Sequence, residues 1–449
     1  MLNEAIERYH ELLTDELASE TQAQIDAQLR DRGLYFGDRP LCTVLRPRFF
    51  VPEQYRWMQE RARLILGAFE KAHMLAVADA SFREQYKLQE WEEELVTLDP
   101  GFRHASPTSR LDAFFVDEGK GLRFTEYNAE TPAGSGYNDV LTEMFLGLPV
   151  MREFLRSFEV RPLPVRHSLM HCLLDAHRQW KGRVEAPRIA IIDWSEVPTY
   201  SEFLIFEQYF AEHGLECIIA DPREVEYSDG RLMAGDYHIT LIYKRVLISE
   251  LVERGGIGHP VIRAVRDGAV CMVNPFACKI NHKKASLAVL TDERNASLFT
   301  GEEQAAITAH IPWTRVVEER KTSFEDREVD LVPFSLENRE QLVLKPNDEY
   351  GGKGIVLGWE VNASEWEEAM RSALAEPYIV QERIVLPKEP YPSLADGRVV
   401  ITDRMLDTAP YAFYGAYVDG CLSRLGTTSL LNVTSGGGSN VPSLLVEKR

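Results

Sequence analysis

The chain has 449 residues, 45% hydrophobic and 27% charged, enough for two or three domains with real cores and without the bias of collagen, disorder or coiled coil. Its formal net charge of -20 disfavours a polyanionic partner such as nucleic acid, while leaving room for a small anionic ligand held by a local group of cations. The start MLNEAIERYHELL lacks the basic and apolar blocks of a secretory signal, no apolar run approaches the ~20 residues that span a bilayer, and the six scattered cysteines include no C-x-x-C, so the expectation is a cytoplasmic protein with reduced thiols and no membrane contact.

Residues 1–100, rich in Glu, Gln, Leu and Ala, are expected to be mainly helical. Leu111–Val116 and Leu122–Tyr127 alternate apolar and polar residues around the turn sequence DEGKG and predict a β-hairpin within 101–186. From Pro187 short apolar runs (RIAIID, ECIIAD, HITLIYKR, AVCMVN) alternate with a helix over TYSEFLIFEQYFAEHG, where Thr199 and Glu202 have capping-box spacing. This strand–helix–strand order predicts an α/β class with a parallel, Rossmann-like unit over 187–275. In 276–449, QLVLK, IVLGWE and YIVQERI read as strands. Ser364–Leu374 reads as a helix capped by Ser364 and Glu367. RVVITDRML and PYAFYGAYVDGCLSRLG read as antiparallel strands with a tight turn at Asp419-Gly420.

The hairpin carries the sharpest chemistry. Residues two apart on a strand share a face, so Arg110 pairs in direction with Asp112, and Glu126 with Asn128. Folding about Gly119 sets Asp112 opposite Glu126 and Arg110 opposite Asn128, provided no bulge intervenes. Two carboxylates facing each other repel, and a divalent cation removes that penalty. Oxygen ligands of this kind suit Mg²⁺, and Arg110 suits a phosphoryl group. A solvated hairpin face is the plain alternative, and the loop Ala129–Gly136 directly after the second strand weighs against it.

A second signal is Lys345-Pro-Asn-Asp-Glu-Tyr-Gly-Gly-Lys-Gly between two strand candidates. Gly351, Gly352 and Gly354 let backbone N–H groups approach phosphate oxygens, and Lys345 supplies charge at the strand end. Neither G-x-x-x-x-G-K-[ST] nor G-x-G-x-x-G occurs in the chain. Gln381 and Glu382 fit the hinge of a nucleotide site. Lys279 is a candidate phosphate ligand, whereas Lys283 and Lys284 read as surface lysines. His167, His171 and His177 read as helix structure rather than a metal site, and Cys42 has no histidine close by to activate it.

Together these pieces resemble the circularly permuted ATP-grasp family, whose best-known relative is glutathionylspermidine synthetase. Asp112 and Glu126-Tyr-Asn128 come before Lys345-Pro … Gly-Gly-Lys-Gly, the inverse of the usual ATP-grasp order, and Tyr378-Ile-Val-Gln-Glu and Asn432 … Gly-Gly-Gly … Val-Pro follow. The resemblance runs from Arg110 to the end. It implies an α/β, circularly permuted ATP-grasp fold with a Rossmann-like unit ahead of the ATP-binding lobe. It also implies ATP and Mg²⁺. Asp112, Glu126 and Asn128 would hold the metal, and Arg110 would stabilise the transferring phosphoryl group. Lys279, Lys345, Gly351, Gly352 and Gly354 would hold the triphosphate, and Gln381 and Glu382 would line the adenine side. The implied activity joins a small-molecule carboxylate to an amine through an acyl-phosphate. A phosphotransferase on the same scaffold and a non-catalytic nucleotide binder are the rivals. The first hundred residues match no pattern of that family.

Overall fold

The computed structural model describes residues 1–427 and 438–449, so the expected motif residues Asn432, Gly436 and Gly437 lie outside the described residues. Three sheets position the site. The largest has Lys388–Ala395, Arg398–Leu406, Tyr417–Gly426, Ala409–Phe413, Thr108–Val116 and Gly121–Asn128 in that spatial order. Ser439–Lys448 pairs with Tyr417–Gly426, and also runs parallel to Arg48–Phe50 and antiparallel to Phe158–Pro162. The long helix Pro52–Ala78 lies against this sheet. Its Leu66 and Phe69 share one core with Leu111, Phe124 and Tyr127 of the hairpin and with Leu287 and Ile307 further on. The Phe69 and Tyr127 rings are 4.5 Å apart.

The expected hairpin forms in the expected register. Arg110 lies opposite Asn128 and Asp112 opposite Glu126, and the bulge falls one residue further on, between Asp112 and Ala113.

The second sheet is parallel, in the order Cys271–Val273, Leu241–Lys244, Arg188–Ile192, Glu216–Ala220. These are the four apolar runs of the sequence; Ile189–Ile192, Leu241–Lys244 and Cys271–Val273 are buried on both faces, and Glu216–Ala220, at the sheet edge, is mostly half-buried. The third is antiparallel, in the order Thr314–Val316, Tyr378–Glu382, Leu342–Pro346, Val356–Leu357. Helix Ala363–Ala375 covers it with Trp366, Met370 and Ala373, the face read from the sequence.

Three local expectations are corrected. Thr199 caps helix Tyr200–Glu212 without a side-chain bond, because Glu202 is drawn inward. Its Oε1 accepts from Gly134 N and Gly136 N, both at 2.9 Å, and its Oε2 from Arg245 at 3.1 Å. The capping box of Ala363–Ala375 is Asn362 with Glu365, two residues before the expected Ser364 and Glu367. An Asn at that position satisfies two orphan amides, Ser364 N and Glu365 N, both at 3.0 Å. Asn362→Ala is expected to cost about 1 kcal/mol, and Thr199→Ala only a few tenths, as read by urea unfolding. The third correction is the turn, which falls at Tyr414 and Gly415, both with positive φ, and not at Asp419-Gly420. Gly420 (φ 73°) sits instead within a strand, where the register against Pro410 and Ala412 shifts. A Cβ there would come 2.1 Å from Val165 Cγ2.

Candidate active site

The hairpin face and the glycine-rich loop meet. Asp112, Glu126, Lys345, Gly351, Gly352, Gln381 and Glu382 line one cleft of about 170 Å³. A second cavity, of about 310 Å³, shares Asp112, Glu126, Gly351 and Arg424 with the first and adds Arg110 and Asn128. The acidic pair therefore stands between two spaces, one under the glycine loop and one facing the parallel sheet.

Asp112 is not left to repel Glu126. Arg110 donates to both its oxygens, at 2.8 and 3.1 Å, and Arg424 Nη2 reaches Oδ2 at 2.6 Å. Burial disfavours its charge, but the two guanidiniums outweigh that and hold Asp112 well below the usual carboxylate range. Arg424 also holds Asp407 at 2.6 Å. Glu126 is paired with Lys284 Nζ at 3.1 Å. Burial is again outweighed, here by Lys284 and Lys345, and Glu126 is held low. The cations that compensate the pair thus belong to the protein. Arg424 gave no signal in the sequence, and Lys284, read as a surface lysine, is 5% exposed. Lys283 is buried as well, bonded to Glu92 at 2.7 Å and Asp348 at 2.9 Å.

Lys345 lies beneath the loop. Its Nζ donates to Gln381 Oε1 at 2.7 Å, and burial pulls the ammonium down to about 8, more than Glu126 restores. Gly351, Gly352 and Gly354 have φ of 65°, 79° and 72°, where side chains are strained, so the three glycines are required by the loop's own backbone. Asn128 Nδ2 is buried with no hydrogen-bond partner, an orphaned group beside the acidic pair. The wall formed by Asp112, Glu126 and Asn128 offers hard oxygen donors, the class that suits Mg²⁺.

Lys279 is placed one step away from the cleft. Its Nζ is buried among Asp348 at 2.7 Å, Glu130 at 3.1 Å and Glu92 at 3.7 Å. Glu130, His282 and Asp348 bring ligand atoms within 4.8 Å of one another, but the Lys279 ammonium already occupies that ring of oxygens. The ion pairs matter in another way, because Asp348 is the root of the glycine loop and Glu130 follows the hairpin. Asn274 completes the tie. Its Nδ2 donates to the carbonyls of Thr108, Ala129 and Glu130 at 2.7, 3.0 and 3.0 Å, joining the parallel sheet to the first hairpin strand and to the residues that directly follow the second. Nothing in the sequence marked Asn274. Glu130 could have been found by parity, since it continues the series Glu126, Asn128.

A glycine loop over an antiparallel sheet, facing an acidic strand pair from a separate sheet, defines the ATP-grasp arrangement, here with its two halves in inverted chain order. A family model for circularly permuted ATP-grasp type 2 matches residues 86–426, and the chain belongs to that family. A Frankia alni protein with the provisional name glutamate–cysteine ligase 2-3 is 23% identical over 97% of this chain, and the chain spans 51% of that relative's length. Among solved structures, the apo form of a glutathione synthetase-like effector from Globodera pallida covers 96% of this chain and is itself covered to 97%, with a TM-score of 0.59 at 12% identity, which bears on the fold alone. No helix among the described residues is long and apolar enough to cross a membrane.

Proposed function

We propose that the protein is an ATP-dependent carboxylate–amine ligase that works through an acyl-phosphate. The observation that carries this reading is the convergence of Asp112, Glu126, Lys345, Gly351 and Gly352 on one cleft, although the acidic strands and the loop are more than two hundred residues apart. The nucleotide would lie under the glycine loop, with Gln381 and Glu382 on its adenine side and Lys345 on its phosphates. Asp112, Glu126 and Asn128 would hold Mg²⁺, which when bound neutralises phosphate charge. The orphaned Asn128 amide fits that role, since rotation about its last bond offers either oxygen or nitrogen to a ligand. Lys279 would act on the phosphates only if Asp348 moves with the loop.

In this reading a substrate carboxylate oxygen attacks the γ-phosphorus, and ADP leaves. Arg110 and Arg424 are fixed cations beside the transferring group and need no reorganisation as charge develops. An amine then attacks the activated carbonyl carbon, the C–N bond forms and phosphate departs. Closure of the loop keeps water from hydrolysing the intermediate.

Hydroxylamine trapping over a panel of carboxylates tests the reading. ADP together with a hydroxamate is the expected result. ADP with a phosphorylated product and no hydroxamate would give the phosphotransferase, and binding of MgATP with no ADP across the panel would give a non-catalytic binder.

Lys345 adds a pH test. A phosphate ligand favours its charged form, so ADP affinity is expected to be full below pH 7.5 and to fall as pH rises through about 8, approaching tenfold per unit. Calorimetric titrations between pH 6.5 and 9.5 read this directly, and a flat profile removes Lys345 from the phosphate site.

A further inference from the structure

The parallel sheet has a binding crevice of its own, and it opens onto the acidic pair. Strand Arg188–Ile192 is flanked by Glu216–Ala220 on one side and Leu241–Lys244 on the other, so the winding reverses beside it. In open parallel sheets, ligands bind outside the carboxyl ends of the strands at such a reversal. Asp193 and Arg245 directly follow the two strands concerned. They are 7% and 5% exposed, and both line the 310 Å³ cavity that also contains Arg110, Asp112 and Glu126.

Neither group is satisfied by the other. Among the described residues no ion pair within 4.0 Å joins Asp193 to Arg245, although burial pushes the Asp193 carboxyl up to about 6 with Arg245 as the main opposing influence. That is the state of a buried carboxylate short of a cation. Arg245 bonds Glu202 and Tyr243 through Nη1, but its Nε is buried with no partner. Asn440 Oδ1, on a residue lining the same cavity, is likewise orphaned. Buried polar atoms without partners are uncommon, yet four residues lining this cavity carry one, Asn128, Arg245, His282 and Asn440; Asn128 is assigned to the metal above, and the other three leave bonds for a polar ligand to supply. Glu250, also on the wall, is engaged by Trp194 Nε1 at 2.8 Å. A buried carboxylate with no cation in ion-pair distance among the described residues, bonded by Trp194 N at 2.8 Å, thus stands near a guanidinium that is paired with Glu202 but keeps one N–H free, beside the apolar surface of Val197, Pro198 and Leu247.

We propose that this crevice is the acceptor site of the ligase reading above, on which the proposal rests, and that it takes a free α-amino acid with an apolar side chain, its ammonium on Asp193 and its carboxylate on Arg245. Such a molecule carries one ammonium and one carboxylate, the complements of the two wall charges. A diamine has no carboxylate and would leave the Arg245 Nε–H without an acceptor.

Equilibrium dialysis of the full chain with radiolabelled L-leucine and L-phenylalanine tests this without turnover. Saturable binding of at least one is expected. The matching carboxamide and N-acetyl derivatives should compete at least about tenfold more weakly, since each lacks one charge-assisted bond. Asp193→Asn should weaken binding by a similar factor. Should that variant fail to fold, the derivative series on the natural chain still decides. No saturable binding of either amino acid, a carboxamide as strong as the free acid, or stronger competition by putrescine would overturn the proposal. Hydroxylamine replaces the acceptor amine, so the two readings separate. Hydroxamate without amino-acid binding rejects the crevice assignment alone, and amino-acid binding without hydroxamate rejects the ligase reading and with it the acceptor role, leaving the crevice an amino-acid site.

Discussion

Replacing Glu126 with Gln is expected to lower ADP release at saturating MgATP by about three orders of magnitude while leaving the melting transition in place. The size follows from what one preorganised charge contributes at a phosphoryl-transfer site, roughly 10²–10³-fold for a single electrostatic group and more when the group also holds a metal. The selectivity follows from its surroundings. Glu126 has 29% of its side chain exposed and, among the described residues, a single cationic partner within ion-pair distance, Lys284 at 3.1 Å. Gln keeps the size and can accept from Lys284, so the fold loses little. Asp112→Asn removes the same kind of ligand but is a poorer experiment. Its carboxylate is 5% exposed and joins two guanidiniums, and neutralising it leaves Arg110 and Arg424 facing each other in a buried setting. Loss of turnover there mixes chemistry with stability. ADP release measured beside circular dichroism melts separates the two. Natural turnover in Glu126→Gln with an intact melt would remove the residue from the metal site.

The parts of this site that the sequence revealed are those with short-range grammar. A hairpin with a five-residue turn sequence fixes its own register, so Asp112 against Glu126 followed from counting along two strands. The glycine loop was legible because three glycines close together have few uses outside tight backbone geometry. The parallel strands were legible as short apolar runs, three of them buried on both faces. What stayed hidden was set by long-range packing. Lys284 and Arg424 look like any surface cation in sequence, and only a partner 158 or 312 positions away makes them part of the site. The same holds for Glu202, whose spacing from Thr199 suggested a helix cap. The carboxylate instead holds two loop amides and Arg245, because those groups are buried and a surface cap is worth less than satisfying them. Asp419-Gly420 misled for a related reason. A dipeptide common in turns also suits a bulge with positive φ, and the neighbouring Val165, which leaves no room for a Cβ, decides between the two uses.

The largest loss of stability is expected from Glu130→Gln. Glu130 is 0% exposed and faces Lys279 at 3.1 Å and Lys244 at 3.5 Å, while its Oε1 accepts from Ile248 N at 2.7 Å. Lys279 keeps Asp348 in the variant, but among the described residues Lys244 has no other carboxylate within ion-pair distance, and its side chain is fully buried. Breaking a buried pair from one side costs about 3–5 kcal/mol, because a charge remains without compensation. Urea unfolding at pH 7 should show that drop. The pH dependence gives an independent check of its cause. Burial raises the Glu130 carboxyl, but Lys279 and Lys244 outweigh it and bring the group down to about 2 from its ordinary 4.5. A carboxylate lowered in the folded state stabilises above its unfolded value, and that contribution is lost as pH falls toward the folded one. The gap between natural and variant protein should therefore be full above pH 5 and close progressively below about pH 4. A gap independent of pH would mean that the variant fails through packing rather than charge. The double variant Glu130→Leu, Lys244→Met sharpens this, since replacing both charges with apolar groups of similar size removes the uncompensated ammonium and should restore part of the loss, the remainder being the Ile248 N–H left without an acceptor.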